Sequence, residues 1–182
     1  MQRDKNGIAI EALRKQPWAA LLLQRVLVEG GPRSAPPSYL FELRFAYELL
    51  RTCENGNVAY EYDAGIGGST IDFLAFHKGR RWLIELLSLS ESDTVARLRS
   101  ESRIETAKGI GCERMSLESD AKDPHESPFA ESVRVIEKIQ EKVWDEKRAV
   151  PRKFSEPKDN DVHVVFVDMT GFSGVVPPDP YD

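Results

Sequence analysis

Residues 65–90 read GIGGSTIDFLAFHKGRRWLIELLSLS, and they contain the clearest secondary-structure pattern in the chain. Residues 69–77 are rich in β-branched and aromatic side chains, and residues 82–89 form an apolar run. Both segments are typical of strands, and the glycine of the intervening HKGR suits a tight turn. The pattern therefore predicts a β-hairpin whose two-residue loop is Lys78 and Gly79.

Each predicted strand carries one acidic residue in apolar surroundings, Asp72 in the first and Glu85 in the second. The two-residue loop sets a register in which these carboxylates face each other across the hairpin. Like charges at directly opposite positions destabilise a sheet unless something neutralises them. A divalent cation is one candidate for that role, and Arg80 or Arg81 pairing with Glu85 across the turn is another.

A third acidic residue, Glu42, belongs to a predicted helix at residues 39–53. The apolar stripe of this helix includes Phe45 and Ala46, and Glu42 precedes them by three and four residues on the same face. A buried carboxylate on such a stripe needs an ion-pair partner or a metal. Alternatively, Glu42 lies near the helix start, where the helix dipole favours an acidic residue.

The rest of the chain predicts further helices and strands around this hairpin. Residues 1–30 form a helical lead-in, which Pro17 kinks or divides into two helices. Further segments are predicted as follows: strands at residues 58–62 and 162–169, helices at 91–108 and 129–148, a polar loop at 109–128 and an irregular tail at 170–182. This order indicates a single domain over residues 1–182 with a mixed α/β fold, in which helices cover both faces of a small mixed sheet.

The composition of the chain makes some function classes less favoured than others. The chain has 182 residues and a net charge of -5, so it lacks the overall basic character of many nucleic-acid-binding proteins. A local basic patch can still bind nucleic acid. Its two cysteines lack metal-type spacing, and its N-terminus lacks the apolar core of a signal peptide. We therefore expect a cytoplasmic protein without membrane association, and we leave both a monomer and a homo-oligomer open.

The three acidic residues suggest a metal site and resemble a known family. Carboxylate oxygens from Glu42, Asp72 and Glu85 suit Mg²⁺ or Mn²⁺ better than zinc. Their order, in FELRFAYEL, GSTIDF and IELL, resembles that of the PD-(D/E)XK nuclease superfamily over residues 39–168. The resemblance implies a three-layer α/β/α restriction-endonuclease-like fold. It also implies that Asp72 and Glu85 hold Mg²⁺ with the carbonyl of Leu86 and, directly or through water, with Glu42. The site would then hydrolyse phosphodiester bonds of DNA or RNA.

The sequence departs from this family where the motif lysine should stand, because position 87 is Leu87. Some superfamily members place that function on a following helix, where Lys138, Gln140 and Lys142 are the candidates. A helical projection puts Gln140 on the face towards the sheet and both lysines roughly on the opposite face. We therefore expect Gln140 to occupy the catalytic position, although an amide cannot act as a cation.

Three function classes follow from these residues. The first is a metal-dependent nuclease, and the second is a catalytically inactive module that keeps the fold and binds nucleic acid or a protein. The third is a structural domain whose acidic residues pair with arginines such as Arg44 or Arg81. Nucleic-acid contacts are expected from Lys78, Arg80 and Arg81 at the hairpin tip. Two further basic clusters are Arg97, Arg99 and Arg103, and residues 147–153.

Overall fold

A computed structural model of the chain describes residues 5–53, 57–66, 69–90 and 128–171. The predicted helix at residues 91–108, with its three arginines, lies outside the described residues. Nearly all of the predicted loop at residues 109–128 and most of the tail at residues 170–182 also lie outside them.

The described helices and strands form a mixed α/β protein. The helices are α1 (Lys5–Leu13), a 3₁₀ turn (Pro17–Ala19), α2 (Ala20–Val28), α3 (Pro37–Thr52) and α4 (Pro128–Val143). The strands are β1 (Val58–Ile66), β2 (Ser69–His77), β3 (Arg80–Ser90), β4 (Trp144–Asp145), β5 (Val150–Pro151) and β6 (Asp161–Gly171). The expected mixed α/β class is therefore confirmed.

The main sheet has four strands in the order β1-β2-β3-β6. Its first three strands form an antiparallel meander, and β6 makes the sheet mixed. The predicted hairpin register is confirmed, since Phe73 pairs with Ile84 and His77 pairs with Arg80. The loop residue Lys78 and its neighbour Gly79 have φ angles of 49° and 72°, the positive values that a two-residue type I′ turn requires.

The N-terminal helices are part of the main hydrophobic core. Buried residues of α1, the 3₁₀ turn and α2 share one cluster with buried residues of α3 and the sheet. Phe73 on β2 lies near its centre, with the rings of Trp18, Phe45 and Tyr60 centred 6.4, 5.6 and 5.2 Å from its own. These helices therefore bury apolar surface that the sheet would otherwise expose to water.

Two predicted segments differ from the structure. The helix predicted at residues 129–148 ends at Val143, because the chain then turns into the β4–β5 hairpin. The strand predicted at residues 162–169 forms as part of β6, but its side chains are only partly buried, and Phe166 is 40% exposed. An edge strand contacts one neighbour in the sheet, and that leaves its apolar residues more accessible.

The chain divides into two compact units. One contains Met1–Ser88 and Glu141–Asp168, and the other contains Leu89–Gln140 and Met169–Asp182. The candidate site lies entirely within the first unit.

Candidate functional site

Asp72 and Glu85 lie next to each other at the centre of the β2–β3 hairpin. The pair Phe73 and Ile84 is the neighbouring step of the ladder. The backbone N–H of Leu86 donates a hydrogen bond of 2.6 Å to Asp72 Oδ2. The Glu85 side chain is completely buried, whereas the Asp72 side chain is 19% exposed. The hairpin therefore brings together the two carboxylates that the sequence places in register.

Two lysines approach the buried carboxylate of Glu85. Lys142, near the end of α4, has its Nζ atom 2.9 Å from Glu85 Oε2 and 3.7 Å from Asp72 Oδ2. Lys153, just after β5, has its Nζ atom 3.3 Å from Glu85 Oε1 and donates a hydrogen bond of 2.6 Å to the carbonyl of Thr70. Glu85 thus lies between two ammonium groups.

Burial and the two lysines act in opposite directions on the pKa of Glu85. Burial raises the pKa of Glu85, and the nearby charge of Asp72 raises it further, while the lysines lower it. Burial disfavours the ammonium of Lys142, but the carboxylates of Asp72 and Glu85 outweigh this effect and raise its pKa. Lys142 is therefore a cation at neutral pH, held against both carboxylates.

Glu42 faces the same region from α3. The helix begins at Pro37 and has no acidic residue in its first turn, so the helix dipole does not account for Glu42. Instead, the Tyr60 hydroxyl donates a hydrogen bond of 2.6 Å to Glu42 Oε2. Burial raises the pKa of Glu42, and the charge of Asp72 raises it as well. Glu42 is therefore a partly buried acid whose carboxylate is held by a tyrosine.

A further charged pair, absent from the sequence-based prediction, extends this network to α2 and β1. Arg25 donates hydrogen bonds to the Tyr60 hydroxyl, at 3.0 Å, and to the Glu61 carboxylate. The flanking pairs of the β1–β2 ladder put Glu61 opposite Asp72. Glu61 has a φ of 50°, which is uncommon for a residue other than glycine and often occurs at functional sites. Arg25 therefore links Glu61 of β1 to Tyr60, the residue that holds Glu42.

Some of this network carried a signal in the sequence. Glu61 interrupts a strand of apolar and aromatic residues in the same way as Asp72 does, so the same reasoning applied to β1 would have found it. Arg25 and Lys153 carried no such signal, because their roles depend on contacts between segments distant in sequence.

The predicted orientation of α4 is wrong. Gln140 is exposed, and Lys142, predicted to point away from the sheet, contacts both carboxylates. The projection assumed that Ile136 faces inward, but its side chain is 56% exposed. The partly buried positions include Val135, Ile139 and Lys142, with the spacing of one helix face. The other candidate on this helix, Lys138, is exposed.

The arginines expected near the site have other partners. Arg81 forms a two-pronged ion pair with Asp161, with contacts of 2.8 and 2.5 Å, so it does not pair with Glu85. Arg44 donates to the side chain of Asn6. Lys78 and Arg80 are exposed at the tip of the β2–β3 hairpin. The expectation that Arg81 neutralises the acidic residues is therefore wrong, because Asp161 holds its guanidinium. The nucleic-acid contact expected of Arg81 stays a prediction.

The donor set fits Mg²⁺ bound mainly by two carboxylates. Both Glu85 oxygens are buried, and each lies against the ammonium group of a lysine, so a bound Mg²⁺ would share Glu85 with Lys142 and Lys153. Within those residues, no group of three His, Cys, Asp or Glu side chains is close enough together to enclose a metal. Mg²⁺ commonly keeps several waters and uses one or two carboxylates, so Asp72 and Glu85 are a sufficient protein contribution. In this arrangement, Glu42 would act through water.

Comparisons of the chain with family models, with curated proteins and with solved structures found no match. Within the described part of the chain, no helix has the length and apolar character needed to cross a bilayer.

Proposed function

We propose that this chain is a metal-dependent nuclease of the PD-(D/E)XK type that hydrolyses phosphodiester bonds of DNA or RNA in the cytoplasm. The observation that supports this most directly is the position of Lys142, within 2.9 Å of Glu85 and 3.7 Å of Asp72. A nuclease of this type needs a cation beside its two carboxylates, and Leu87 cannot supply one. Lys142 supplies it from α4, so the departure at position 87 is compatible with activity.

The order α3, β1, β2, β3, α4 and β6 also supports a restriction-endonuclease-like core, because Glu42, Asp72 and Glu85 occur on the expected helix and strands. We propose the three-layer arrangement on this basis.

Each group at the site has a distinct role in the proposed reaction. Asp72 and Glu85 would hold the metal, and the backbone N–H of Leu86 fixes the orientation of the Asp72 carboxylate. Mg²⁺ held there would stabilise negative charge on the phosphate and would make a coordinated water more acidic. Lys142 is positioned to orient the attacking water and to stabilise negative charge on the phosphate oxygens. Glu42, held by Tyr60, would orient a further water through its carboxylate.

Cleavage of mixed DNA and RNA substrates in Mg²⁺ or Mn²⁺ tests this proposal. We expect Asp72→Asn and Lys142→Met each to reduce cleavage by at least about 100-fold, the usual contribution of a proton-transferring or charge-stabilising group. Gln140→Ala is the matched control on the same helix, and it should keep wild-type activity because its side chain is exposed. Absence of cleavage by the wild type, or equal cleavage by Asp72→Asn, would rule out the nuclease.

An inactive binding module is the second candidate, and one observation favours it. Lys142 and Lys153 already balance the charge of Glu85 without a metal. In that case, Mn²⁺ should not stabilise the protein, whereas a nuclease site at a hundredfold excess over its Kd should gain about 2.7 kcal/mol. Thermal unfolding of the wild type and of Asp72→Asn, each with and without Mn²⁺, separates the two functions.

A further inference from the structure

The lysines on both sides of the β4–β5 hairpin contact the candidate site. Lys142 precedes β4 by two residues, and Lys153 follows β5 by two residues. Their Nζ atoms lie 2.9 and 3.3 Å from the two oxygens of Glu85. Because consecutive Cα atoms are about 3.8 Å apart, the Cα atoms of Trp144 and Pro151 each lie within about 7.6 Å of the Cα of the nearer lysine. Each end of the hairpin therefore lies two residues from a lysine that contacts Glu85.

The hairpin has a defined conformation. Trp144 pairs with Pro151 across the two short strands, and the backbone N–H of Arg152 donates a hydrogen bond of 2.8 Å to the carbonyl of Val143. The backbone N–H of Arg148 donates to Asp145 Oδ1 at 3.2 Å within the turn. These contacts fix the conformation of the hairpin, and Lys142 and Lys153 link it to Glu85.

The exposed side chains of this hairpin combine an aromatic ring with positive charge. The side chain of Trp144 is 42% exposed, although tryptophan normally buries its large ring. Lys147, Arg148 and Arg152 are also exposed. The hairpin also carries the acidic Asp145 and the exposed Glu146, and two nearby basic residues, Lys142 and Lys153, face the buried Glu85. The exposed cations at the hairpin are therefore Lys147, Arg148 and Arg152.

We propose that the β4–β5 hairpin binds single-stranded nucleic acid and presents it to the candidate site, an inference that rests on the proposed nuclease function. Trp144 stacks on an unpaired base, and Lys147 and Arg148 contact phosphates. A tryptophan face can stack on any base, but only where that base is free of its helix. Duplex offers no such base except at its ends, so an exposed tryptophan on the same hairpin as Lys147 and Arg148 selects a single strand. The substrate class is thus single-stranded DNA or RNA.

Binding without a metal separates this inference from the catalytic one. The probe is a fluorescein-labelled oligo(dT) of about twelve nucleotides, measured by anisotropy in EDTA. We expect Trp144→Leu, which keeps apolar volume but removes the ring, to weaken binding about 10-fold. Trp144→Phe should restore most of the affinity. Phe76→Leu, at an aromatic residue of β2 that is 44% exposed, is the matched control and should bind as the wild type does.

Salt dependence tests the phosphate contacts separately. A single-stranded site loses about 0.7 in the slope of log affinity against log salt for each phosphate contact removed. The double variant Lys147→Gln/Arg148→Gln should therefore reduce the slope by about 1.4. The control is Glu156→Gln, which removes an exposed neighbour of opposite charge and should not reduce the slope.

Three outcomes would overturn the inference: no binding of oligo(dT) by the wild type, equal affinity of Trp144→Leu, or equal affinity for the matching duplex. Binding that depends on Trp144 in a protein that cleaves nothing would support the hairpin and reject the nuclease. Cleavage that does not change in Trp144→Leu would support the nuclease and reject the hairpin. If Trp144→Leu does not fold, Trp144→Tyr against Trp144→Met gives the same comparison of ring with no ring.

Discussion

At the residue scale, the main feature of the site is a lysine that lies on a helix, Lys142, where the family pattern puts one on the strand at position 87. Leu87 leaves the strand without a cation, and Lys142 reaches the same two carboxylates from α4. The proposed reaction depends on the position of the ammonium group relative to the carboxylates, and it does not depend on which segment carries the lysine. A lysine on either element should therefore serve.

Returning the lysine to the strand tests this equivalence. In a Lys142→Met background, we expect Leu87→Lys to recover about 10-fold of the roughly 100-fold loss in cleavage. Position 87 is partly buried, so a lysine can pack its aliphatic stem while its head reaches polar groups. Leu87→Met in the same background controls for the change of shape. Equal activity of these two double variants would show that the strand position cannot replace Lys142.

The hydroxyl of Tyr60 provides a second test at this scale, because it donates to Glu42. This hydrogen bond favours the ionised carboxylate and so lowers the pKa of Glu42, against the larger effect of burial. We expect Tyr60→Phe to move the pKa of Glu42 further upward, as measured by NMR titration of its carboxyl carbon in metal-free protein. Tyr62→Phe, on the same strand, is the control. An unchanged or lower pKa in Tyr60→Phe would contradict the contact.

The sequence was informative about Asp72 and Glu85 and uninformative about Lys142, for a physical reason. A two-residue loop fixes the register of a hairpin, so the facing carboxylates could be predicted from the chain alone. The rotation of α4 could not, because apolar residues occur at positions 133, 135, 136, 139 and 143, on more than one side of the helix. Only packing selects the inward face, and it selected Val135 and Ile139 over Ile136.

At the element scale, β3 and β6 are joined at their starts by Arg81 and Asp161. The guanidinium donates to both carboxylate oxygens, and the backbone N–H of Arg81 donates to the carbonyl of Asn160 at 2.9 Å. Two parallel donors matched to a carboxylate give orientation as well as attraction. Arg81, which its place at the hairpin tip suggested as a nucleic-acid contact, therefore also aligns β6 with β3.

This pair predicts a specific dependence of stability on pH. The hydrogen bonds from Arg81 lower the pKa of Asp161 below its ordinary 3.8, so the unfolded chain binds more protons between these two values. The stabilisation is therefore present above about pH 3.8 and is lost as the pH falls through the lowered pKa. Urea denaturation should show Asp161→Asn less stable than the wild type at pH 7, with a gap that narrows towards pH 2. The control is Asp159→Asn, at an exposed neighbour, whose stability relative to the wild type should not change in this way with pH. A difference between Asp161→Asn and the wild type that stays constant from pH 7 to pH 2 would contradict the linkage.

At the scale of the first compact unit, the N-terminal helices belong to the core that supports the site. Among the described residues, seven of the sixteen buried members of the main cluster precede residue 30. Their helical periodicity was visible in the sequence, but their packing was not, because amphipathic patterns identify an apolar face and not its partner. A segment that reads as a lead-in is thus bound to the sheet that carries Asp72 and Glu85. Arg25 adds a polar link from the same segment to Tyr60 and Glu61.

Substitution at adjacent positions of α2 tests this role. Leu22 is completely buried, whereas Leu21 is 43% exposed, so Leu22→Ala should cost about 3 kcal/mol of unfolding free energy and Leu21→Ala less than about 0.5 kcal/mol. If the N-terminal helices and the sheet share one core, the stability lost in Leu22→Ala must also affect the sheet. Trp82 on β3 packs against this cluster and reports on it by fluorescence in a Trp18→Phe/Trp144→Phe background. We expect the Trp82 transition in urea to shift to lower denaturant in Leu22→Ala and to coincide with the loss of helical circular dichroism. A helical transition that moves alone, with Trp82 unchanged, would mean that residues 1–30 fold separately from the sheet.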